Sequence, residues 1–86
     1  MTTIERIAEL LDTEPINREP LENGGIRFWN IETEFEIVPV GGKLKFSHGD
    51  KSEILDEWEL ADALEKFLDI PQLAMDYLIL NEIVDG

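Results

Sequence analysis

This chain has no cysteine, a single histidine, and seven basic residues against twenty acidic ones. Without cysteine there is no disulfide framework and no thiolate metal site. One histidine rules out a metal centre built on several imidazoles. The shortage of Lys and Arg leaves a net charge of −13. That charge disfavours direct contact with DNA, RNA or an anionic membrane, since each would bring phosphate to a negative surface. No apolar run approaches the ~20 residues that span a bilayer, and no basic, then apolar, leader opens the sequence. The expectation is a soluble protein of the cytoplasm, the host cell's cytoplasm if it is phage-encoded.

Chemical motifs are missing too. Ser47, His48 and Asp50 are the residue types of a hydrolase triad. Three residues so close in sequence rarely converge on one geometry, and no nucleophile elbow surrounds them. Asp50, Glu53, Asp56 and Glu57 are oxygen donors, but the ordered Asp-x-Asp-x-Asp-Gly of a calcium loop is absent. Asn23-Gly24-Gly25 and Gly41-Gly42 are not phosphate loops, because neither leads into a helix with a lysine. No catalytic residue, metal ligand or cofactor site is assigned, and an enzyme is not expected.

What is present suffices for one folded domain over residues 1–86, with 43% hydrophobic residues. The charge is uneven. Residues 1–24 carry a net −4, residues 25–49 are neutral, and residues 50–86 carry eleven acids and two bases for a net −9.

The neutral stretch predicts an antiparallel meander of three strands, Ile26–Ile31, Glu34–Val40 and Lys43–His48. Gly41-Gly42 suits a two-residue hairpin turn. If it is the loop, Val40 opposes Lys43, Val38 opposes Lys45, and Ile37 opposes Phe46. A first turn at Ile31-Glu32 sets Phe28 opposite Phe35, Ile26 opposite Ile37, and Arg27 opposite Glu36 as an ion pair. Because side chains alternate, Ile26, Phe28, Phe35, Ile37, Leu44 and Phe46 then share one face. Trp29, Val38 and Val40 lie on the other.

The flanks read as helices. A first helix runs from Thr3 to Leu11, with Thr2 and Glu5 at capping-box spacing and Ile4, Ile7, Ala8 and Leu11 forming its stripe. Thr13–Gly25 reads as a connector broken by Pro15 and Pro20. After a turn at Gly49–Ser52, a second helix runs from Glu53 or Asp56 to Leu68. A third runs from Pro71 to Val84 and is apolar almost all round, so it is buried or covers another chain. A rival reading makes Tyr77–Val84 a strand. The expected fold class is therefore α+β, a three-stranded meander flanked by an N-terminal helix and a C-terminal helical pair (α-β-β-β-α-α).

The functional expectation rests on the second helix. Glu59, Asp62, Glu65 and Asp69 fall along one side, with Asp56 at the start and Trp58 among them. Their spacing is about 4.5–6 Å per step along the axis, comparable to the ~3.4 Å rise per phosphate of one nucleic-acid strand. The expected function is a non-enzymatic acidic module that binds a basic protein surface. Such a module would act as a nucleic-acid mimic, an inhibitor of phage or mobile-element anti-defence type that occupies the groove of a nucleic-acid-binding protein. Trp58 or Trp29 would supply the apolar anchor. One alternative is an accessory or assembly subunit that homodimerises through the third helix. Another is a generic acidic protein of a salt-adapted cell, which the excess of Glu over Asp, 13 to 7, and the four retained lysines fit poorly.

Overall fold

The computed structural model describes residues 3–85, with side chains for all of these except residue 13 and residues 81–85. Thr2, with its expected capping box, and the side chains of Ile83 and Val84 lie outside that description.

Five antiparallel strands form one sheet, where three were expected. In chain order and in spatial order they are β1 (Asn17–Pro20), β2 (Ile26–Trp29), β3 (Glu34–Val40), β4 (Lys43–His48) and β5 (Lys51–Leu55). Three α-helices accompany them: α1 (Thr3–Leu10), α2 (Glu57–Leu68) and α3 (Leu73–Asp85), with a 3-10 turn, Leu11–Thr13, closing α1. Tyr77 onward is helix, so the fourth-strand reading of that segment fails.

The central hairpins follow from the sequence. Gly41 and Gly42 take φ of 55° and 82°, the left-handed region in which glycine carries no Cβ penalty. The register they set pairs Ile37 with Phe46 and Val40 with Lys43, as expected. In the β2–β3 turn, Asn30 Oδ1 accepts from the N–H groups of Glu32 and Thr33, both at 2.8 Å. This side-chain turn ends β2 at Trp29, two residues early, and leaves Ile31 and Glu32 at the tip. Phe28 still opposes Phe35 and Ile26 still opposes Ile37. Arg27 does oppose Glu36, but its guanidinium reaches Glu34 instead, so the expected ion pair is replaced by a diagonal one.

The two added strands are both edges. β1 lies in the stretch read as a connector. Its four residues are charged or turn-forming and all are exposed, so no hydrophobic alternation announces it. Tertiary contacts hold it there: Arg18 donates to the Ala8 carbonyl at 2.8 Å and pairs with Asp12 at 3.3 Å, binding the strand to the end of α1. At its far end Leu21 N–H donates to Gly25 O. Gly25 itself is packed so closely that a Cβ would sit 2.5 Å from the Ile37 carbonyl. β5 takes the residues read as a turn and a helix start. Only Leu55 of its five is even partly covered, and the acids that suggested a helical first turn belong partly to the strand.

The core lies on one side of the sheet. Phe28, Phe35, Ile37, Leu44 and Phe46 meet Ile4, Ile7, Ala8 and Leu11 from the N-terminal helix and Leu60, Ala61 and Leu64 from α2. Leu73 and Tyr77 close the layer from α3, which packs chiefly on α1 and α2. Phe28 stacks on Phe35 at 5.0 Å, and Phe67 of α2 stands edge-on to Phe35 and Phe46 at 5.6 and 5.3 Å. Each fully buried side chain of this size contributes about 1.5–3 kcal/mol. Among the described residues no helix lies on the opposite face of the sheet.

Candidate functional site

The acidic helix α2 starts where its sequence directs. Asp56 is extended (φ −81°, ψ 176°) and caps the helix: its Oδ1 accepts from the Glu59 N–H at 2.8 Å, and Glu59 Oε1 accepts from the Asp56 N–H at 3.2 Å. This reciprocal box satisfies two otherwise orphaned donors. It also holds the Asp56 carboxyl below the usual carboxylate range. The Glu59 N–H is the main cause; the Trp58 N–H and the charge of Lys43 add to it, against the opposing effect of desolvation.

The other ridge acids diverge. Asp62 pairs with Lys66 at 3.2 Å, one turn on, and stays exposed. Glu65 turns inward: its Oε1 accepts from the Ala74 N–H at 3.2 Å, satisfying a donor in the first turn of α3. Asp69 is the left-handed end of α2 (φ 54°), and its N–H returns to the Glu65 carbonyl. Gln72 is also left-handed (φ 67°), which is why α3 starts at Leu73 and not at Pro71 as expected. The surface ridge is therefore Glu59, Asp62 and Asp69, with Glu65 serving the joint between the two helices.

The tryptophans separate. Trp58 is 46% exposed, its ring standing edge-on to the buried Tyr77 at 5.4 Å. Trp29 is half-buried on the far side of the sheet, under the Arg27 guanidinium at 5.3 Å. The structure thus gathers Asp56, Trp58, Glu59, Asp62 and Asp69 on one layer and excludes Trp29 from it.

Two features of this layer had no place in the sequence reading of the site. On α3, Met75, Leu78 and Ile79 are 55%, 40% and 47% exposed. They stand three and four residues apart, so they form one apolar stripe on the solvent side. The signal was the missing polar face of this helix. The second is Glu57, whose Oε2 accepts from the Tyr77 hydroxyl at 2.8 Å and from Thr3 Oγ1 at 3.2 Å. One carboxylate thereby joins all three helices.

A cleft of about 470 Å³ opens between the start of α1, the β3–β4 hairpin and the start of α2. Its two carboxylates, Asp56 and Glu57, are the helix cap and the three-helix link. Ser47 and His48 face opposite sides of β4: Ser47 lies beside Ser52, whereas the His48 ring packs at 4.6 Å from Phe67. They share no site. Among the described residues no three His, Asp or Glu side chains are close enough to hold a metal ion, and no helix is long and apolar enough to cross a membrane. Comparison with protein-family models, with curated proteins and with solved structures gives no match to this chain.

Proposed function

We propose that the chain is a non-enzymatic acidic protein-binding module whose helical layer docks on a basic groove. In this reading the partner is a nucleic-acid-binding protein, and the module competes with the nucleic acid. It would work in the cytoplasm as an inhibitor of the phage or mobile-element anti-defence kind. The observation that supports the reading is the combination found on one layer. The exposed carboxylates Glu59, Asp62 and Asp69 accompany the exposed apolar groups Trp58, Met75, Leu78 and Ile79. Carboxylates supply steering and reject wrong partners, while apolar anchors supply residence. The net −13 also exceeds the magnitude of ~2–8 that keeps a small domain soluble. An apolar stripe alone would equally suit a homodimer through α3. The neighbouring acids oppose that, because two copies would bring like charges together.

The test is capture of the partner on the immobilised chain from its native host, followed by a salt titration of the purified pair. Affinity should fall at least about tenfold between low and high salt, and a DNA or RNA fragment should compete. An affinity indifferent to both would overturn the reading.

A further inference from the structure

The open face of the sheet is unlike the rest of the molecule. Register places Glu19, Arg27, Glu34, Glu36, Lys43 and Lys45 on it, three acids and three bases, so it is neutral on a chain of net −13. The charges are also sorted. Glu19, Glu34 and Glu36 lie toward β1 and the β2–β3 turn. Lys43 and Lys45 lie toward the β3–β4 turn, on the strand next to β5. Arg27, inside the acidic end, is already paired with Glu34. Lys43 also faces Asp56, whose carboxylate is engaged in the α2 cap. The exposed apolar groups flank these bases: Val40 opposes Lys43 and Ile54 opposes Lys45. Val38 is half-buried on the central strand, and Val40 and Ile54 are 42% and 53% exposed. Lys45 sits between Val38 and Ile54 in one cross-strand row.

We propose that this face is the interface of a twofold dimer, occupied by a second copy of the same chain. A surface that pairs with itself must be self-complementary under a twofold rotation. An axis lying in the interface, perpendicular to the line from the acidic end to the basic end, exchanges those ends. Lys45 of each copy then meets Glu36 of the other, and Val38 lies near the axis. Two sheets stacked about 10 Å apart, as in a β-sandwich, then bring the two Val38 side chains together and cover Val40 and Ile54 of each copy with the acidic strands of the other. Charge selects this face over the helical one. It is neutral, so apposing two copies brings no excess like charge together, and the acidic helices point outward on both sides. The helical surface is left free, so the dimer does not depend on the function proposed above. It would present that acidic surface twice, in opposite directions.

Sedimentation equilibrium of the full chain, with circular dichroism as a control for folding, tests the interface. The wild type is expected at twice its 9.9 kDa mass within a concentration series reaching the millimolar range. Lys45→Glu and Glu36→Lys alone should each weaken the dimer at least tenfold. Each creates like-charge contacts twice. Mixing the two variants should restore it, because the mixed dimer pairs Glu with Lys at both positions. Val38→Asp, if it folds, should be monomeric. A wild type that stays at 9.9 kDa throughout overturns the proposal. So does a dimer unmoved by the position 36 and 45 changes but lost on Met75→Ser with Ile79→Ser, which would put the contact on α3.

Discussion

The helical surface and the open sheet surface both expose apolar side chains, but only the first is accompanied by uncompensated acid. On the helices, Trp58, Met75, Leu78 and Ile79 share the layer with Glu59, Asp62 and Asp69. On the sheet, Val38, Val40 and Ile54 lie among as many bases as acids. An apolar patch says that something covers a surface, and the charge around it says what. An acid-lined patch repels its own copy and admits a basic partner. A neutral patch with sorted charges admits its own copy. The same comparison separates the tryptophans, one on each surface, which composition alone counts together.

The comparison can be broken first at the layer both surfaces share. Ile37 and Ile54 belong to one sheet but opposite faces, one fully buried and one exposed. Ile37→Ala should cost about 2–5 kcal/mol in urea unfolding, and should disturb both surfaces at once. A cost as small as that of a surface change would mean the inner face is not the core.

Removing the Tyr77 hydroxyl with Tyr77→Phe should cost about 1.5–3 kcal/mol, as for a hydrogen bond to a charged group. It leaves the edge-on contact with Trp58 in place. Partner binding by the helical surface should weaken more than any self-association through the sheet. Equal effects on both would show that the two surfaces are not independent.

The helix cap sharpens the comparison by pH. The folded carboxyl of Asp56 titrates below its unfolded value, so its contribution is present above the unfolded pKa of roughly 3.9. It is lost as pH falls through the lower, folded value. Asp56→Ala should lower the melting temperature by a few degrees at neutral pH. The gap from wild type should narrow on acidification below the unfolded value. A gap that widens in acid would reverse the sign argued here.

The smallest effects belong to single exposed groups. Lys66→Ala removes one i,i+4 partner of Asp62 and should change stability by no more than about 0.5 kcal/mol. It should still strengthen binding to a basic partner, since it adds one net negative charge to the helical surface. Ile54→Ser should be similarly neutral for the monomer's unfolding, within about 0.5 kcal/mol, while reducing self-association. A large loss of monomer stability would show that Ile54 is covered within its own chain.

Much of this was legible from the residues. Gly41-Gly42 and the alternation around it locate the β3–β4 register, and Asp56 with Glu59 locates the start of α2. The edge strands were not legible, for a physical reason. An edge strand has one hydrogen-bonding partner and water on its other side, so its sequence need not alternate. β1 reads as loop because its hold on the fold is Arg18 reaching Ala8 and Asp12, contacts made across the structure. β5 reads as helix start because acids favour both a first helical turn and an exposed strand. The site was half legible for the same kind of reason. Helical spacing puts four acids on one side of α2, but it cannot say that Glu65 spends its carboxylate on Ala74 of the next helix.

The sequence by itself determined the amount of charge, its cancellation within residues 25–49, and the inward face of the central strands. Those are matters of count and period, and they hold in any fold that keeps the strands. The tertiary structure alone decided that all three helices lie on one side of the sheet. Two of them cover its apolar face and the third closes over them, so among the described residues no element covers the other. That arrangement leaves Met75, Leu78 and Ile79 exposed on the acidic helical layer, and Val38, Val40 and Ile54 on a sheet face that is neutral overall. Which surface a residue joins depends on packing between elements distant in sequence, and local pattern carries no record of that.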